Sequence, residues 1–209
     1  MACPESTTKD GFEAQFGTNH VAHFLLFELL RPLLIASSTP ELNSRVVALT
    51  SVGHRTAPVF LDDLDLKKQG YNEWVSYGQS KTANVLMAVE IDRRYGSEGL
   101  HATAVMPGGI MTGLQAHVDD AMKATWNSPE VKKFMKDTEQ GAATTMWAAV
   151  GKEWEGKGGA YLENCRETGE APPDAQMMDE GYRTWAKDPE AAEKLWEVSL
   201  ELTKPWREA

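Results

Sequence analysis

Apolar residues recur along this chain in two rhythms. Phe12, Phe16, Val21, Phe24, Leu25 and Leu29 return at helical spacing and predict one long helix from about residue 10 to Leu34. Thr7 or Thr8 is the expected N-cap, with Asp10 in the first turn. Asn19 and His20 interrupt the apolar face, and Pro32 with the Ser37-Ser38-Thr39-Pro40 cluster is expected to end it. Val46-Val47-Ala48-Leu49 is a short continuous apolar run, which suits a strand buried on both faces of a parallel sheet. The run stops at Thr50-Ser51-Val52-Gly53-His54, so Ser51 falls just past the carboxyl end of the strand. Open α/β sheets hold their ligands at that edge.

A polar loop over residues 55–73 leads to a second helix, which carries Tyr77 and Lys81 and continues through Val85, Ala88 and Val89 to Arg93-Arg94. Gly96 and Gly99 are its expected stop. Residues 101–106 read as a strand that ends in Pro107-Gly108-Gly109. Residues 113–137 are irregular and helical, and 140–151 form a helix of small residues. Residues 158–163 read as a last short strand and 164–187 as loop. A final amphipathic helix opens at Asp188-Pro189-Glu190, with Asp188 as N-cap. This alternation predicts one α/β domain over residues 1–209, with a parallel sheet and right-handed crossovers.

Composition narrows the function. The 209 residues are 42% hydrophobic and 25% charged, as in an ordinary soluble domain. A net charge of −10 argues against nucleic acid, which wants clustered Lys and Arg, and against anionic membrane surfaces. The greasiest stretch, Phe24 to Ile35, is broken by Glu28, Arg31 and Pro32 and reads as too short and polar to span a bilayer. The two cysteines, Cys3 and Cys165, have no metal-like spacing, so no disulfide framework is expected and a reducing, cytoplasmic setting fits. Met1 to Glu5 lacks the basic and apolar regions of a signal peptide.

The candidate chemistry centres on Tyr77 and Lys81. Four residues apart, they leave one face of a helix. An ammonium beside a phenol lowers the phenol's pKa from about 10, and a phenol tuned this way moves protons at a carbonyl or alcohol carbon. His20 and His23 could share a metal, but no third ligand has suitable spacing. The acidic patch of Asp62, Asp63 and Asp65 has Lys67-Lys68 beside it, so no metal is expected. His54 follows Ser51 by three residues, yet no G-x-S-x-G elbow surrounds the serine, and a hydrolase pair is not supported. The seven tryptophans lie mostly in the C-terminal third and suit core or lid packing, with a share in an apolar pocket left open.

Four separated motifs then line up: Gly17-Thr18-Asn19-His20-Val21-Ala22-His23-Phe24, Ser51 after a buried strand, Tyr77-x-x-x-Lys81, and Pro107-Gly108-Gly109-Ile110-Met111-Thr112. Together they resemble the short-chain dehydrogenase/reductase family, most of all the branch of retinol dehydrogenases and the WW-domain oxidoreductase. The resemblance implies a Rossmann-like three-layer fold with a parallel sheet and C-terminal helices. It implies an NAD(P)(H)-dependent oxidoreductase that interconverts a carbonyl and a secondary alcohol on a small, fairly apolar molecule. Tyr77 would be the acid/base, and Lys81 would tune it and hold the nicotinamide ribose. Ser51 would hold the substrate oxygen, and Asn19 would kink its helix and hold a relay water. Pro107, Gly108, Ile110 and Thr112 would line the nicotinamide.

The match begins late. The strand, glycine-rich turn and helix that hold the pyrophosphate in relatives have no counterpart here, so the fold is expected to be N-terminally truncated. At about 30 residues per βαβ unit the shortfall is about 80–100 residues. Such a cut leaves the strand at 45–50 with an unpaired edge. A homo-oligomer is therefore expected, through that edge or through helices 10–35 and 75–95. Two other readings stay open on the same residues: a cofactor-independent isomerase, dehydratase or cyclase, and a non-catalytic interaction subunit.

Overall fold

The structure, a computed structural model, describes residues 1–208. Its first helix begins later than the apolar rhythm suggests. Thr8 folds residues 8–12 into a turn by accepting the Phe12 N–H at 3.2 Å. The cap is Glu13, whose carboxylate accepts the N–H groups of Gln15 and Phe16. Helix α1 (Ala14–Phe16) passes through a π-helical turn, Gly17–Val21, into α2 (Ala22–Ser37). The wide turn falls at Asn19, where the apolar face was interrupted. Pro32 lies inside α2 on its exposed side and does not end it; water can satisfy the carbonyl that the ring leaves free. The continuous helical run Ala14–Ser37 is thus long and apolar enough to cross a membrane by length and composition, contrary to the expectation from Phe24 to Ile35. Its Phe16, Val21, Phe24 and Phe27 are buried in the protein.

Strand β1 (Ser44–Leu49) pairs in parallel with β2 (Leu100–Met106), and β2 with β5 (Tyr161–Glu163). A two-residue strand β6 (Arg166–Glu167) closes the sheet antiparallel, giving the order β1-β2-β5-β6. Helix α3 (Glu73–Tyr95) lies across one face of the sheet, capped by Asn72, which accepts the Trp74 and Val75 N–H groups at 3.0 Å. The segment after β2 forms β3 (Gly109–Ile110), α4 (Asp120–Trp126), α5 (Pro129–Lys132) and β4 (Met135–Lys136), with β3 and β4 paired. Helix α6 (Thr138–Val150) packs on the opposite face.

Helix α7 (Pro189–Arg207) opens at Asp188 as the sequence predicts. Its Trp196 lies edge-on to Phe24 at 4.9 Å and Phe27 at 5.8 Å, under the Arg94 guanidinium at 4.9 Å. Helix α7 therefore lies across α2 and α3, and most of α3 is buried. The dimer surface that the resemblance implied on helix 75–95 is largely covered from within the chain. What stays open is the far side of β1, which pairs with no strand among the described residues. Around it Leu26, Leu29 and Leu33 of α2, Leu49 of β1, and Met146 and Val150 of α6 are exposed.

Candidate active site

The carboxyl end of β1 sorts two adjacent hydroxyls. Thr50 turns toward α3 and donates to the Lys81 carbonyl at 2.9 Å. Ser51 turns the other way and caps a 3-10 turn, Val52–Thr56, accepting the Gly53 N–H at 3.1 Å. Helix α3 then sets Tyr77 down on this turn. The phenol is buried, with the Ser51 side chain close enough to favour its ionised form. Two glycines make the approach: a Cβ on Gly53 would lie 2.8 Å from the Tyr77 ring, and one on Gly78 would run into Thr56 and the Gly53 carbonyl.

Lys81 leaves the same helix face, with its amine 5.7 Å from the Tyr77 ring centre. It points at the end of β1, donating to the Leu49 carbonyl at 3.3 Å, and Asn84 donates to the same carbonyl at 2.9 Å. Asn19 is one helix further back. Its amide donates to Ser80 Oγ at 2.9 Å, and Ser80 donates to the Tyr77 carbonyl at 2.8 Å. The structure therefore gathers Ser51, Tyr77 and Lys81 at one strand end, with Asn19 bracing the tyrosine's helical turn from behind.

The electrostatics differ from the expectation on spacing. Burial pushes the Tyr77 phenol up from its ordinary value, and the nearby Ser51 hydroxyl offsets only part of this. Burial also lowers Lys81 to about 8. Both groups sit where their charged forms are poorly solvated, and the ammonium is engaged by a carbonyl instead of the phenol. The predicted lowering of the tyrosine pKa by its lysine is not what this arrangement produces.

The other predicted residues occupy the turn after β2. Gly108 has φ +108°, and Lys136 reaches over it to donate to the Pro107 carbonyl at 3.1 Å. Ile110 lies in β3, against Gly141 of α6. The Thr112 hydroxyl accepts the Leu114 N–H at 3.2 Å, as a cap. An open cleft of about 470 Å³ lies beside this turn, lined by Ile110, Met111, Trp126, Met135 and Lys136 among others.

His54 is the residue whose part the sequence obscured. Its Nε2 accepts the Arg183 N–H at 3.2 Å, which leaves the proton on Nδ1 to donate to the Ser51 carbonyl at 2.7 Å. Proximity to Ser51 flagged it, but it holds the serine's backbone, not its hydroxyl. Of the candidate metal pair, His20 is buried with Nε2 2.8 Å from Ser199 Oγ, while His23 is exposed and bonds the Asn19 carbonyl. No group of three or more metal-ligating side chains is assembled among the described residues.

Burial holds His20 neutral down to about 3, with the His23 charge adding to the effect, and holds His54 neutral down to about 4. The unfolded chain takes up these protons near 6.5, so it binds more protons than the folded chain below that pH. Stability must fall with pH through that window, by up to about 1.4 kcal/mol per pH unit for each group. Urea unfolding at pH 7 and pH 5 is expected to show the fall, and His20→Gln to flatten it. Equal slopes for the two proteins would remove His20 from this account.

A three-layer α/β fold thus brings a serine, a buried tyrosine and a lysine together at one strand end. The chain belongs to the short-chain dehydrogenase/reductase family. It is 51% identical over 203 residues to the short-chain dehydrogenase/reductase prx1 of Penicillium rubens, covering 97% of this chain and 59% of that one. A protein of Streptomyces lividans named "Probable oxidoreductase" is 36% identical over 208 residues, covering 96% of this chain and 68% of its own. Human retinol dehydrogenase 13 is 34% identical, covering 97% and 57%. Among solved structures, an uncharacterised protein from Mycobacterium paratuberculosis superposes with TM-score 0.66 at 30% identity, over 98% of this chain and 63% of that one. No family profile matches. The chain thus spans about 59% of the length of the Penicillium relative.

Proposed function

We propose that the chain carries the proton-transfer and substrate half of an NAD(P)(H)-dependent oxidoreductase that acts on a carbonyl or secondary alcohol of a small, fairly apolar molecule. The observation that carries this reading is the Tyr77 phenol, buried against Ser51 at the carboxyl end of β1 with Lys81 on the same helix face.

The residues present fit the nicotinamide end of such a cofactor. The Lys81 amine has no carboxylate partner among the described residues, and its bond to the Leu49 carbonyl leaves N–H donors for ribose hydroxyls, while the Ile110–Met111 cleft offers an apolar wall. The turns at Gly108 and at Gly158-Gly159 are packed against Lys136 and Asp92 and do not cradle phosphates. Bound, the nicotinamide would supply or accept hydride. The chain's own residues do the rest. Ser51 donates to the substrate oxygen and steadies charge growing on it. Tyr77, with its pKa raised by burial, is protonated at neutral pH and gives its proton to that oxygen in the reducing direction. Lys81, lowered to about 8 by burial and on the same helix face with its amine 5.7 Å from the ring centre, is placed to restore the phenol's proton through water.

Purified protein incubated with a panel of apolar ketones and aldehydes, with and without NADH or NADPH, tests the reading. Nicotinamide-dependent reduction supports it. Turnover without nicotinamide would move the assignment to acid/base chemistry alone, and no turnover with either cofactor would remove it. We also propose that the open side of β1 is where this chain meets a second copy.

A further inference from the structure

Residues 164–187 read as loop, yet the structure fastens their middle to the catalytic turn. The Arg55 guanidinium donates to three backbone carbonyls there: Gln176 at 3.1 Å, Asp179 at 2.6 Å and Gly181 at 2.7 Å. It makes no ion pair among the described residues, so its donors are spent on this segment. His54 beside it accepts the Arg183 N–H through Nε2 while its Nδ1 holds the Ser51 carbonyl. The His54 carbonyl in turn accepts the Trp185 indole N–H at 3.2 Å. From the other side Glu163 accepts the Gly181 N–H at 2.6 Å, and the Tyr182 ring packs on Tyr161. Between these anchors the segment presents Met177 and Met178, 56% and 41% exposed.

We propose that His54 and Arg55 form a latch that holds residues 170–184 as a wall of the substrate space, with Met177 and Met178 as its apolar part, and ties that wall to Ser51. The latch rests on the reading of Ser51 and Tyr77 as the reacting centre. Its logic is geometric. One imidazole bonds the serine's own carbonyl and the strap's backbone, so neither can shift without the other. Arg55 supplies a fork whose donors match several carbonyls at once. The methionines that the strap carries are flexible, polarizable side chains, which suit apolar substrates of varied shape. His54 and Arg55 touch no reacting atom; they are positioning residues.

Four variants separate this role from plain stability. Arg55→Ala removes the fork at a half-buried position. His54→Asn keeps an amide donor where Nδ1 stands but loses the acceptor for Arg183. His54→Gln keeps an acceptor where Nε2 stands. Met177→Ser with Met178→Ser changes the wall and leaves the latch intact. Amide hydrogen exchange of the full chain is measured first, because it needs no activity. Arg55→Ala and His54→Asn should each speed exchange in residues 171–183 about tenfold while α3 and β2 stay protected, and His54→Gln should restore protection. Unchanged exchange at 171–183 in Arg55→Ala, or a loss spread over the whole protein, would overturn the latch whether or not the protein turns over substrate. With a ketone reduced by the parent protein, the methionine pair should raise KM about tenfold for long-chain substrates with kcat within about twofold. Equal effects on short and long substrates would overturn the wall.

Discussion

Tyr77→Phe is expected to lower turnover by about 10²- to 10⁴-fold, the range over which a positioned acid/base contributes. The change deletes one oxygen from a buried ring and leaves the packing against Gly53 intact. Ser51 keeps its bond from the Gly53 N–H, so the turn has no reason to move. Melting temperature should therefore stay within a few degrees of the parent, and the loss should fall on kcat and kcat/KM alike, the mark of an interaction made in the transition state. Activity within tenfold of the parent would take the proton-transfer role away from Tyr77. A protein that loses both activity and its folding transition would show instead that the hydroxyl holds the structure.

The second large effect concerns association. Leu29 and Leu33 are 55% and 65% exposed on α2, and Leu49 is 46% exposed at the end of the unpaired strand β1. An open strand edge flanked by leucines is a template for another strand. An antiparallel pairing of two copies about Val47 would set Arg45 opposite Leu49 and Val46 opposite Ala48, so no charge meets its like. Covering Leu29 and Leu33 is worth about 1–2 kcal/mol each. Leu29→Glu with Leu33→Glu should therefore weaken self-association about 100-fold. Light scattering after size exclusion, over micromolar concentrations, reads the result. A parent chain that is monomeric at every concentration would refute the self-pairing.

Much of this arrangement was legible from residue order, and the reasons differ by element. Strand β1 announces itself because a short apolar run between polar flanks suits a strand, and its end then fixes Ser51; the expected burial on both faces is not met, because β1 lies at the sheet's open edge and its residues are at most half-buried. Tyr77 and Lys81 share a face because helical spacing dictates it. The start of α1 was misplaced because threonines are strong generic caps, while Glu13 wins by reaching two N–H groups at once. Pro32 failed to end α2 because it faces solvent, which spacing cannot reveal. Strands β3 and β4 are two residues each, too short to show any period. The tyrosine's raised pKa depends on how deeply the fold buries it, a property of the assembled layers. The strap over residues 170–184 is held through backbone carbonyls, which every residue has, so only Arg55 and His54 could have marked it.

Gly53 and Gly78 have a consequence for how this site can vary. At both positions the space that a side chain would need is already filled, by the Tyr77 ring in one case and by Thr56 and a backbone oxygen in the other. The approach of the Tyr77 helix to the Ser51 turn is therefore set where two stretches of main chain rest against each other. On the proposed roles, divergence toward new molecules enters at the periphery, through residues 107–136 and the methionine-bearing strap, while Ser51 and Tyr77 keep a fixed gauge.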